Sequence, residues 1–553
     1  MKMTGSKIII ECLLSLGVDT VFGYPGGQIM PFYDALYDAP LKHILTVHEQ
    51  GAAHAADGYA RATGRVGVCI ATSGPGATNL VTGLATAFMD SSPVVAITGQ
   101  VPTNLLGRDS FQEIDITGIT MPVTKHNFLV RDISVLAETI RQAFRIAASG
   151  RPGPVLIDVP KDILVGFADY YPEIAAGYCE QPIEECALEQ DVYAAASSLT
   201  VAKRPVLVIG GGVKAGKAEQ SVLKLAQACK MPVVSTLMGL GAFEPANKQF
   251  LGLTGMHGHK AANLAVANAD VIIAVGTRFS DRVTGDPKRY STGKIIIHLD
   301  GDMAEFDKNI ATDITVAGNL NTSLEQIVSS LPPQADLSEW WEKIEAWRHS
   351  YASVYTEQVL TPQWIMHHMS AETINMPVTW VTDVGQHQMW AAQHLRIAGS
   401  RSWLTSGGLG TMGFGVPAAL GAQAGCPDRK VILIAGDGGF KMTAMELYTI
   451  VNNHLPLICV LINNHSLGMV RQWQRLFFDE RYSATSLPGF DFAGFVRVCG
   501  ALALTAATPS EFKQAFAEAL LAGLPAVIIA DIDPDLMVTP MTAPGQPINQ
   551  FIE

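Results

Sequence analysis

Eight short runs of apolar residues, rich in valine and isoleucine, constrain the fold of this chain more than any other feature. The runs span residues 66–71, 93–98, 155–159, 206–209, 271–275, 431–435, 457–462 and 526–530. Stretches with helical patterns separate them. An uninterrupted apolar strand is buried on both faces, as in a parallel sheet that is covered by helices. The sequence therefore predicts the α/β class.

Two stretches interrupt this alternation and divide the chain. Residues 167–188 contain paired tyrosines and several acids, and a second, charge-rich stretch with tryptophans follows Pro332-Pro333. A chain of 553 residues also exceeds what one hydrophobic core supports. We predict three domains over 1–166, 189–335 and 361–553, joined by linkers over 167–188 and 336–360. Each domain is expected to be a mostly parallel sheet flanked by helices, and the first and last could be alike in structure.

Composition and charge exclude several classes of function. The net charge of −13 opposes nucleic-acid binding, which requires concentrated lysine and arginine. The 8 cysteines lack CxxC spacing, which is typical of reduced thiols. No apolar stretch reaches the ~20 residues that span a bilayer, and Glu11 interrupts the first apolar run, which favours an amphipathic helix over a signal peptide. We expect a cytoplasmic protein with small-molecule partners, no nucleic acid and no membrane.

The most informative motif is Gly436-Asp437-Gly438, which follows one apolar run, paired with Asn463-Asn464 after the next. Carboxylate and amide oxygens are the ligands that Mg²⁺ prefers, alongside phosphate oxygens. The glycines let the backbone approach a diphosphate, and a helix start near residues 440–442 would add amide dipoles. Either half alone is explained as well by an ordinary turn. Together, at this spacing, they resemble the thiamine-diphosphate signature.

Further motifs extend this resemblance over nearly the whole chain, from residue 20 to about residue 545, and narrow it to the acetohydroxyacid synthases. They are FGYPGG (22–27), HEQGAA (48–53), ATSGPGATN (71–79), FQE (111–113), VTDVGQHQMW (381–390) and LGMVRQWQ (467–474). The resemblance implies a thiamine-diphosphate-binding fold in the first and last domains and a flavin-binding middle domain. It implies a two-carbon transferase of isoleucine, valine and leucine biosynthesis. Such an enzyme decarboxylates pyruvate and joins the hydroxyethyl unit to pyruvate, giving 2-acetolactate, or to 2-ketobutyrate, giving 2-aceto-2-hydroxybutyrate.

Glu49 is the candidate for acid–base work. We predict a strand over 45–47 and an alanine-rich helix over 52–63, and a carboxyl group between them would be desolvated. The alternative is an acid that interacts with the helix dipole. The resemblance makes Glu49 the glutamate that hydrogen-bonds the aminopyrimidine ring of the cofactor and promotes its imino form.

The resemblance also implies the roles of other residues in the first and last domains. Met412 would support the bent cofactor, a role compatible with that of a core methionine. Asp437, Asn464 and the carbonyl of Ser466 would bind Mg²⁺. Gly27, Phe111, Gln112 and Lys125 would lie near the reaction intermediate. The remaining implied contacts of the cofactor are Tyr24, Pro25, Gly26, Thr72, Gly76, Asn79, Gln386, His387, Gly410, Gly436, Gly438, Gly439, Gly468 and Met469.

Two residues carry the implied selectivity for the second substrate. Arg278 matches the arginine that holds a ketoacid carboxylate, a task suited to its forked donors. Trp473 matches the bulky residue that favours 2-ketobutyrate over pyruvate. Without the resemblance, a surface arginine and a buried helix-face aromatic are the simpler interpretations.

The middle domain contains a GxGxxA pattern at 210–215, directly after an apolar run. A tight strand-to-helix turn explains this pattern as well as a cofactor does. The resemblance implies FAD, required for structure although the reaction has no net redox change. Its implied contacts are Gly210, Gly211, Gly212, Thr236, Leu237, Met256, His257, Gly258, Gly276, Arg278 and Asp300.

Three positions depart from the family pattern, and the function and the assembly of the protein stay open. Gln28 stands where alanine is common, Gly439 where serine is common, and Asn319 where aspartate is usual. The alternatives are another flavin-containing thiamine-diphosphate enzyme, such as a pyruvate oxidase, or an inactive scaffold paralogue. The resemblance further implies a homodimer or tetramer and a small regulatory subunit.

Overall fold

A computed structural model describes residues 1–172, 187–332, 335–351 and 358–553. Three six-stranded sheets, each flanked by helices, confirm the predicted α/β class. Most of the first predicted linker and part of the second lie outside the described residues. The strands are β1 (Lys2–Thr4), β2 (Thr20–Gly23), β3 (Lys42–Leu45), β4 (Gly67–Ala71), β5 (Val94–Gln100), β6 (His126–Leu129), β7 (Val155–Pro160), β8 (Phe167–Asp169), β9 (Pro205–Ile209), β10 (Val233–Ser235), β11 (Phe250–Leu253), β12 (Val271–Val275), β13 (Ile295–Asp300), β14 (Ile314–Ala317), β15 (Val378–Thr382), β16 (Trp403–Leu404), β17 (Lys430–Gly436), β18 (Ile458–Asn463), β19 (Leu502–Ala506) and β20 (Ala526–Asp531).

The helices fill the intervals between these strands. They are α1 (Gly5–Ser15), α2 (Met30–Leu36), α3 (Glu49–Thr63), α4 (Pro75–Asn79), α5 (Val81–Met89), α6 (Ile116–Thr120), α7 (Leu136–Ala148), α8 (Lys161–Val165), α9 (Glu189–Val201), α10 (Gly211–Ala215), α11 (Glu219–Cys229), α12 (Lys260–Asn268), α13 (Asp281–Thr284), α14 (Pro287–Ser291), α15 (Leu320–Ser329), α16 (Ser338–Ser350), α17 (Pro362–Glu372), α18 (Gln386–His394), α19 (Gly415–Gly425), α20 (Asp437–Thr443), α21 (Glu446–Asn452), α22 (Gly468–Phe477), α23 (Phe492–Val498) and α24 (Pro509–Ala522). All eight apolar runs coincide with strands, which confirms that they form the sheets.

The strand orders relate the three sheets to one another. The first sheet runs β3-β2-β4-β5-β7-β6 and the last runs β16-β15-β17-β18-β20-β19. Numbered within each six-stranded sheet, both read 2-1-3-4-6-5, so the two sheets are alike in topology. The middle sheet runs β11-β10-β9-β12-β13-β14. Numbered in the same way it reads 3-2-1-4-5-6, the order typical of dinucleotide-binding sheets.

The chain divides into two compact units. One contains the first and last sheets, over Met1–Gln181, Asn375–His387 and Leu404–Pro534. The other contains the middle sheet, over Pro182–Ile374, Gln388–Trp403 and Asp535–Glu553. The first and last domains are therefore packed together, although the middle domain separates them in sequence.

Two glycines allow the closest helix contact of the first unit. A Cβ atom at Gly58 on α3 would lie 2.1 Å from the carbonyl oxygen of Ala418 on α19, and one at Gly421 would lie 1.8 Å from that of Ala55. The two backbones touch because neither position carries a side chain. A single buried core of small and branched side chains surrounds this contact and includes residues of both domains.

Residues in and beside the two predicted linkers also form regular structure. Strand β8 pairs with β1 in antiparallel orientation. Helix α16 lies within 336–360, and the buried indole of Trp340 donates to the carbonyl of Pro205 at the start of β9 (3.2 Å). The described part of that range therefore packs on the middle sheet.

The prediction of a strand over 45–47 was wrong. Strand β3 ends at Leu45, and α3 already begins at Glu49, with the His48 side chain accepting a hydrogen bond from the N–H of Gln50 (3.1 Å). The N–H of Val47 donates to the carboxylate of Glu446 rather than to a neighbouring strand. A side chain distant in sequence thus ends the strand early.

Two observations bear on the predicted environment of the protein. None of the six described cysteines forms a disulfide with another described cysteine, and five of them are buried. Among the helices of the described ranges, none combines the length and apolar character needed to cross a membrane.

We expect Gly421→Ala to destabilise the protein. In an open helix this change stabilises by about 1 kcal/mol. Here the added methyl group would meet the Ala55 carbonyl oxygen, and overpacking costs about 1–3 kcal/mol. Thermal unfolding followed by circular dichroism should show a lower midpoint. Gly489→Ala is the control, because a Cβ atom there meets nothing within 4 Å. An unchanged or raised midpoint for Gly421→Ala would contradict the contact.

Candidate active site

The strand orders alone indicate where each sheet can bind a ligand. In open parallel sheets, ligands bind beyond the carboxyl ends of the strands, where the strand order reverses. That point lies between β2 and β4 in the first sheet, between β15 and β17 in the last, and between β9 and β12 in the middle. About half of the predicted site residues lie at the carboxyl ends of these six strands, in the loops or helix starts that follow them.

The two loops at the reversal point of the first sheet touch each other. Residues 24–27 follow β2 and residues 72–79 follow β4. A Cβ atom at Gly26 would lie 2.4 Å from the Thr72 methyl carbon, and the N–H of Gln28 donates to the Thr72 hydroxyl (3.3 Å). Gly27 faces open space. Beside it, half-exposed Tyr24 and Pro25 form the outer edge of the first loop.

Glu49 lies against the second of these loops. Its side chain is only 9% exposed. The Asn79 amide nitrogen donates to Glu49 Oε2 (3.0 Å), and a Cβ atom at Gly76 would lie 3.2 Å from Oε1. Asn79 thus orients one carboxylate oxygen, while the other lies beside a residue that has no side chain to cover it.

The other three predicted neighbours of the intermediate have different surroundings. Gln112 has a left-handed backbone (φ 59°) and packs on Gly74, whose Cβ would lie 2.9 Å from that of Gln112. Phe111 is 84% exposed. The Lys125 ammonium donates to backbone carbonyl groups at the C-terminal end of α7. The structure therefore brings Gln112 beside the loop after β4 and holds Lys125 on a helix end.

Asp437 and Asn464 follow neighbouring strands of the last sheet. Asp437 is the first residue of α20, so the helix begins three residues before the expected 440–442. Its carboxyl group is 2% exposed, and burial raises its pKa to about 6. Asn464 donates from Nδ2 to the Gln386 side-chain oxygen (3.1 Å), and its Oδ1 accepts from the N–H of Ser466 (3.2 Å).

The chemistry of this donor set fits Mg²⁺. Carboxylate, amide and carbonyl oxygens are hard ligands. A buried carboxyl group is costly to ionise without a cation, and the raised pKa of Asp437 reflects that cost. Because Gln386 holds the Asn464 amide nitrogen, the amide oxygen is the atom left for a metal. Among the described residues, no group of three or more His, Cys, Asp and Glu side chains could hold a metal ion, so this donor set has a single carboxylate and otherwise amide and carbonyl oxygens.

The residues predicted to contact a diphosphate surround the same edge. A Cβ atom at Gly468, where α22 begins, would lie 2.0 Å from Gln386 Oε1, and Gln386 donates to Gln472 (2.9 Å). A Cβ atom at Gly436 would lie 2.7 Å from His387 Nδ1. Burial lowers the pKa of His387 to about 3, which keeps its ring neutral. Its Nε2 is buried and has no hydrogen-bond partner among the described residues, which suits a ligand contact.

Met412 lies over the Gly-Asp-Gly motif. Its methyl carbon would be 3.5 Å from a Cβ atom at Gly438, and Gly410 faces open space with φ 71°. The fully buried carboxylate of Asp383 holds this loop by accepting the N–H groups of Gly413 (3.0 Å) and Gly415 (2.8 Å). The last domain thus places Met412 beside the predicted metal site.

Asp383 also accounts for the departure at Gly439. A Cβ atom at Gly439 would lie 2.2 Å from Asp383 Oδ1. The carboxylate therefore occupies the space that a larger residue would need, which gives the glycine a structural reason beyond the loss of a hydroxyl contact.

Trp473 borders a cavity of about 440 Å³ on α22 and the segment that follows it. The ring of Phe477 packs against it edge-on, with centroids 5.7 Å apart. The cavity is lined mostly by apolar groups from Met469, Val470, Trp473, Gln474, Phe478, Arg481 and Ser483. An apolar cavity of this size can accept a small aliphatic group.

In the middle sheet, the reversal point lies between two glycine-containing loops in direct contact. A Cβ atom at Gly210 would lie 2.1 Å from the carbonyl oxygen of Gly276, and the N–H of Gly212 donates to that oxygen (2.9 Å). A Cβ atom at Gly211 would instead lie 3.2 Å from the Cβ atom of Met238. The close approach of the two loops explains why glycine is required at positions 210 and 212, with or without a cofactor.

The other predicted flavin residues share one edge of this sheet. They follow the carboxyl ends of β10, β11, β12 and β13: Thr236, Leu237, Met256, His257, Gly258, Gly276, Arg278 and Asp300. Burial lowers the pKa of His257 to about 4, and its Nδ1 has no partner among the described residues. Arg278 is partly buried, and Asp300 accepts from the N–H of Asp302 (2.9 Å). The edge offers polar atoms of the kind that a dinucleotide needs.

Asn319 has a structural role. It is the N-cap of α15, and its side-chain oxygen accepts from the N–H groups of Asn321 (3.0 Å) and Thr322 (3.2 Å). Asparagine and aspartate cap helices equally well. This departure therefore preserves the local structure.

Comparison with known proteins agrees with this geometry. Three thiamine pyrophosphate enzyme family models match: the N-terminal TPP binding domain over residues 3–119, the central domain over 192–327 and the C-terminal TPP binding domain over 383–530. The acetolactate synthase isozyme 2 large subunit of Escherichia coli is 44% identical over 100% of both chains. The acetolactate synthase large subunit of Parasynechococcus marenigrum is 46% identical over 100% of this chain and 91% of its own length, and that of Corynebacterium glutamicum is 44% identical over 98% and 89%.

The chain belongs to the family of acetolactate synthase large subunits. The two matched TPP binding domains are the two sheets of like topology, and the matched central domain is the middle sheet. In this member of the acetolactate synthase family, the predicted site residues of the first unit, except Lys125, therefore lie within the matched thiamine-pyrophosphate-binding domains.

Three buried acids that organise the site of this acetolactate synthase were missing from the sequence prediction. Asp383 holds the Met412 loop, Glu446 binds the backbone before Glu49, and Asp90 accepts from the N–H groups of Gly407 and Gly408. Asp383 stands within the motif VTDVGQHQMW, so the sequence could single out this residue. The sequence could not predict its role, because the N–H groups that donate to it lie about thirty residues away in sequence.

We expect Asp383→Asn to destabilise the protein and to loosen the Met412 loop. An amide offers one acceptor oxygen where the carboxylate uses two, and an unsatisfied buried group costs about 1–3 kcal/mol. Urea unfolding should show a lower midpoint. Asp491→Asn is the matched control, since Asp491 accepts only the N–H of Gly494 at an exposed helix start. Equal midpoints for Asp383→Asn and the unsubstituted protein would contradict this role.

Proposed function

We propose that this protein joins pyruvate to a second 2-ketoacid with loss of carbon dioxide. The products would be 2-acetolactate from pyruvate and 2-aceto-2-hydroxybutyrate from 2-ketobutyrate. The observation that carries the proposal is the pair of like sheets in one unit. Glu49 bonds to Asn79, which follows β4 of the first sheet, and Asp437 and Asn464 follow the neighbouring strands β17 and β18 of the last. Full-length relatives that are named acetolactate synthases support the choice of reaction.

Thiamine diphosphate, when bound, supplies a nucleophilic carbon and accepts the electron pair that decarboxylation releases. Asp437, Asn464 and the Ser466 carbonyl would hold Mg²⁺, which in turn binds phosphate oxygens. Gln386 fixes the Asn464 amide, and His387 presents a ring nitrogen, Nε2, that has no hydrogen-bond partner in the described part of the chain. The open space at Gly410 leaves room for a ligand beside the metal site.

Glu49 would exchange a proton with the aminopyrimidine ring. A buried glutamate can share a proton with a ring nitrogen more readily than a solvated one. The Asn79 amide holds Oε2, which leaves Oε1, beside Gly76, for this exchange. Met412 would support the bent form of the cofactor with an apolar surface.

Selectivity for the second ketoacid would lie with Trp473 and Arg278. The apolar cavity at Trp473 suits the extra methyl group of 2-ketobutyrate. The guanidinium of Arg278 can bind a carboxylate with two parallel hydrogen bonds.

FAD would bind at the carboxyl edge of the middle sheet. Support comes from its 3-2-1-4-5-6 order and from Nδ1 of His257, which has no hydrogen-bond partner within the described ranges. We further propose a homodimer or tetramer, a small regulatory subunit, and a reducing cytoplasmic location that suits the buried cysteines.

We expect purified protein to form acetolactate from pyruvate. Formation should require thiamine diphosphate and Mg²⁺, tested by omitting each cofactor, including FAD, in turn. Glu49→Gln should lower kcat by about 100-fold or more, because acid–base catalysis contributes about 10²–10⁴-fold. Its binding of thiamine diphosphate should be retained. Unchanged turnover by Glu49→Gln would remove this residue from the mechanism.

The same assay separates the alternatives. A pyruvate oxidase would reduce its flavin when pyruvate is added without oxygen, which the flavin absorbance reports. An inactive scaffold paralogue would bind the cofactors and show neither acetolactate nor flavin reduction, even with a regulatory subunit present.

We expect Trp473→Leu to weaken the preference for 2-ketobutyrate over pyruvate. A methyl group packed on an indole contributes about 1–3 kcal/mol, or about 10- to 200-fold in selectivity. The ratio of the two products in a competition between pyruvate and 2-ketobutyrate measures the effect. Arg475→Gln is the control, because Arg475 lies on the same helix outside the cavity lining. An unchanged product ratio would refute the assignment of Trp473.

A further inference from the structure

Glu446, on α21 of the last domain, binds the backbone of the first domain. Its side chain is 2% exposed. Oε1 accepts from the N–H groups of Val47 (3.0 Å) and His48 (3.2 Å). Oε2 accepts from the Val47 N–H (3.2 Å) and from the Thr449 hydroxyl (2.8 Å). All hydrogen-bonding groups around this carboxylate are donors.

The residues that Glu446 binds directly precede Glu49. Strand β3 ends at Leu45, and the Thr46 N–H still donates to the carbonyl of Gly23 (3.3 Å). The next two N–H groups, of Val47 and His48, have the Glu446 carboxylate as their acceptor. Since α3 begins at Glu49, Glu446 fixes the short turn that sets the direction of the helix and of its first side chain.

Gly51, in the first turn of α3, leaves room for this contact. A Cβ atom there would lie 2.1 Å from Glu446 Oε1. The start of a helix carries partial positive charge, which favours a carboxylate. Burial raises the pKa of Glu446, whereas the hydrogen bonds from Thr449, Val47 and His48 lower it. The donors around the carboxylate thus offset part of the cost of burying its charge.

We propose that Glu446 is a positioning residue for Glu49. It holds the proton-exchanging carboxylate in place through the backbone of Val47 and His48 and does not contact substrate. Asp437 is the first residue of α20, and Glu446 is the first residue of α21, the next helix along the chain. One segment of the last domain therefore supplies a predicted metal ligand and the anchor of the Glu49 turn. This inference rests on the proposed function.

The test is a set of variants assayed with saturating thiamine diphosphate and Mg²⁺. Glu446→Ala should lower kcat by about 100-fold, because a misplacement of about 1 Å far from the reacting atoms can cost that much. Glu446→Gln, which keeps the shape, should lower kcat less. Gly51→Ala should resemble Glu446→Ala, because its methyl group displaces the carboxylate. The KM for pyruvate should change little.

Glu511→Ala is the matched control. Glu511 also accepts two consecutive N–H groups, of Ala507 (2.8 Å) and Thr508 (3.1 Å), at a helix start of the first unit. It lies on α24, and kcat should be unchanged. A comparable loss of kcat in Glu511→Ala would overturn the inference, since the loss of any helix cap would then be enough to lower kcat.

A double-mutant cycle separates positioning from a general structural role. In a Glu49→Gln background, Glu446→Gln should cause no further loss of kcat, because Glu446 acts through Glu49. A further loss as large as that of Glu446→Gln alone would overturn the inference.

Hydrogen–deuterium exchange gives a readout that does not need activity. Exchange at residues 46–52 should increase in Glu446→Gln and stay unchanged in Glu511→Ala. Unchanged exchange in Glu446→Gln would overturn the contact itself. An inactive unsubstituted protein whose Glu446→Gln variant still shows the increase would overturn the proposed function and support the anchoring of the turn.

Discussion

The contact between α3 and α19 is the interaction on which the rest of the site depends. It brings two domains that are almost two hundred residues apart in sequence into one unit, and it requires Gly58 and Gly421. Helix α3 begins with Glu49, and α19 follows directly after the Met412 loop. The packing of these two helices, both rich in alanine and glycine, therefore fixes the position of Glu49 relative to the Met412 loop. Small residues matter here because they let two main chains approach until nothing else fits between them.

The loops beyond the strands need another source of order, and buried carboxylates provide it. Asp383, Glu446 and Asp90 each accept two or more backbone N–H groups from a loop that no strand or helix holds. Asp90 is itself paired with the buried guanidinium of Arg61, whose pKa is raised chiefly by Asp57 and Asp90. A buried charge of this kind is stable only while all its partners are present. Because the carboxylate needs all of these partners, each loop is held in one conformation.

The fold was predictable from sequence because its determinants are local. A continuous run of Val, Ile and Leu specifies a buried strand wherever it lies, so the eight strongest strands were found with boundaries close to the observed ones. Short strands such as β10 and β16, and the end of β3, depend on their partners and were missed or misplaced. The site was predictable where motifs follow such strands, as for Asp437 and Asn464. It was not predictable where a side chain from another domain completes it, because the pairing of Glu446 with Val47 leaves no pattern within either segment.

The glycines of the candidate site show how far such motifs can be interpreted. At Gly26, Gly210, Gly436, Gly439 and Gly468 the space of a Cβ atom is already filled by the protein's own atoms, so the fold requires glycine there with or without a ligand. At Gly27 and Gly410 the space is open. Only the second kind leaves room that a bound molecule can use, and both examples lie at a reversal point or beside Met412. A glycine in such a motif can therefore be required for either of two reasons, the close packing of loops or access for a cofactor. The structure distinguishes the two reasons, whereas the sequence alone does not.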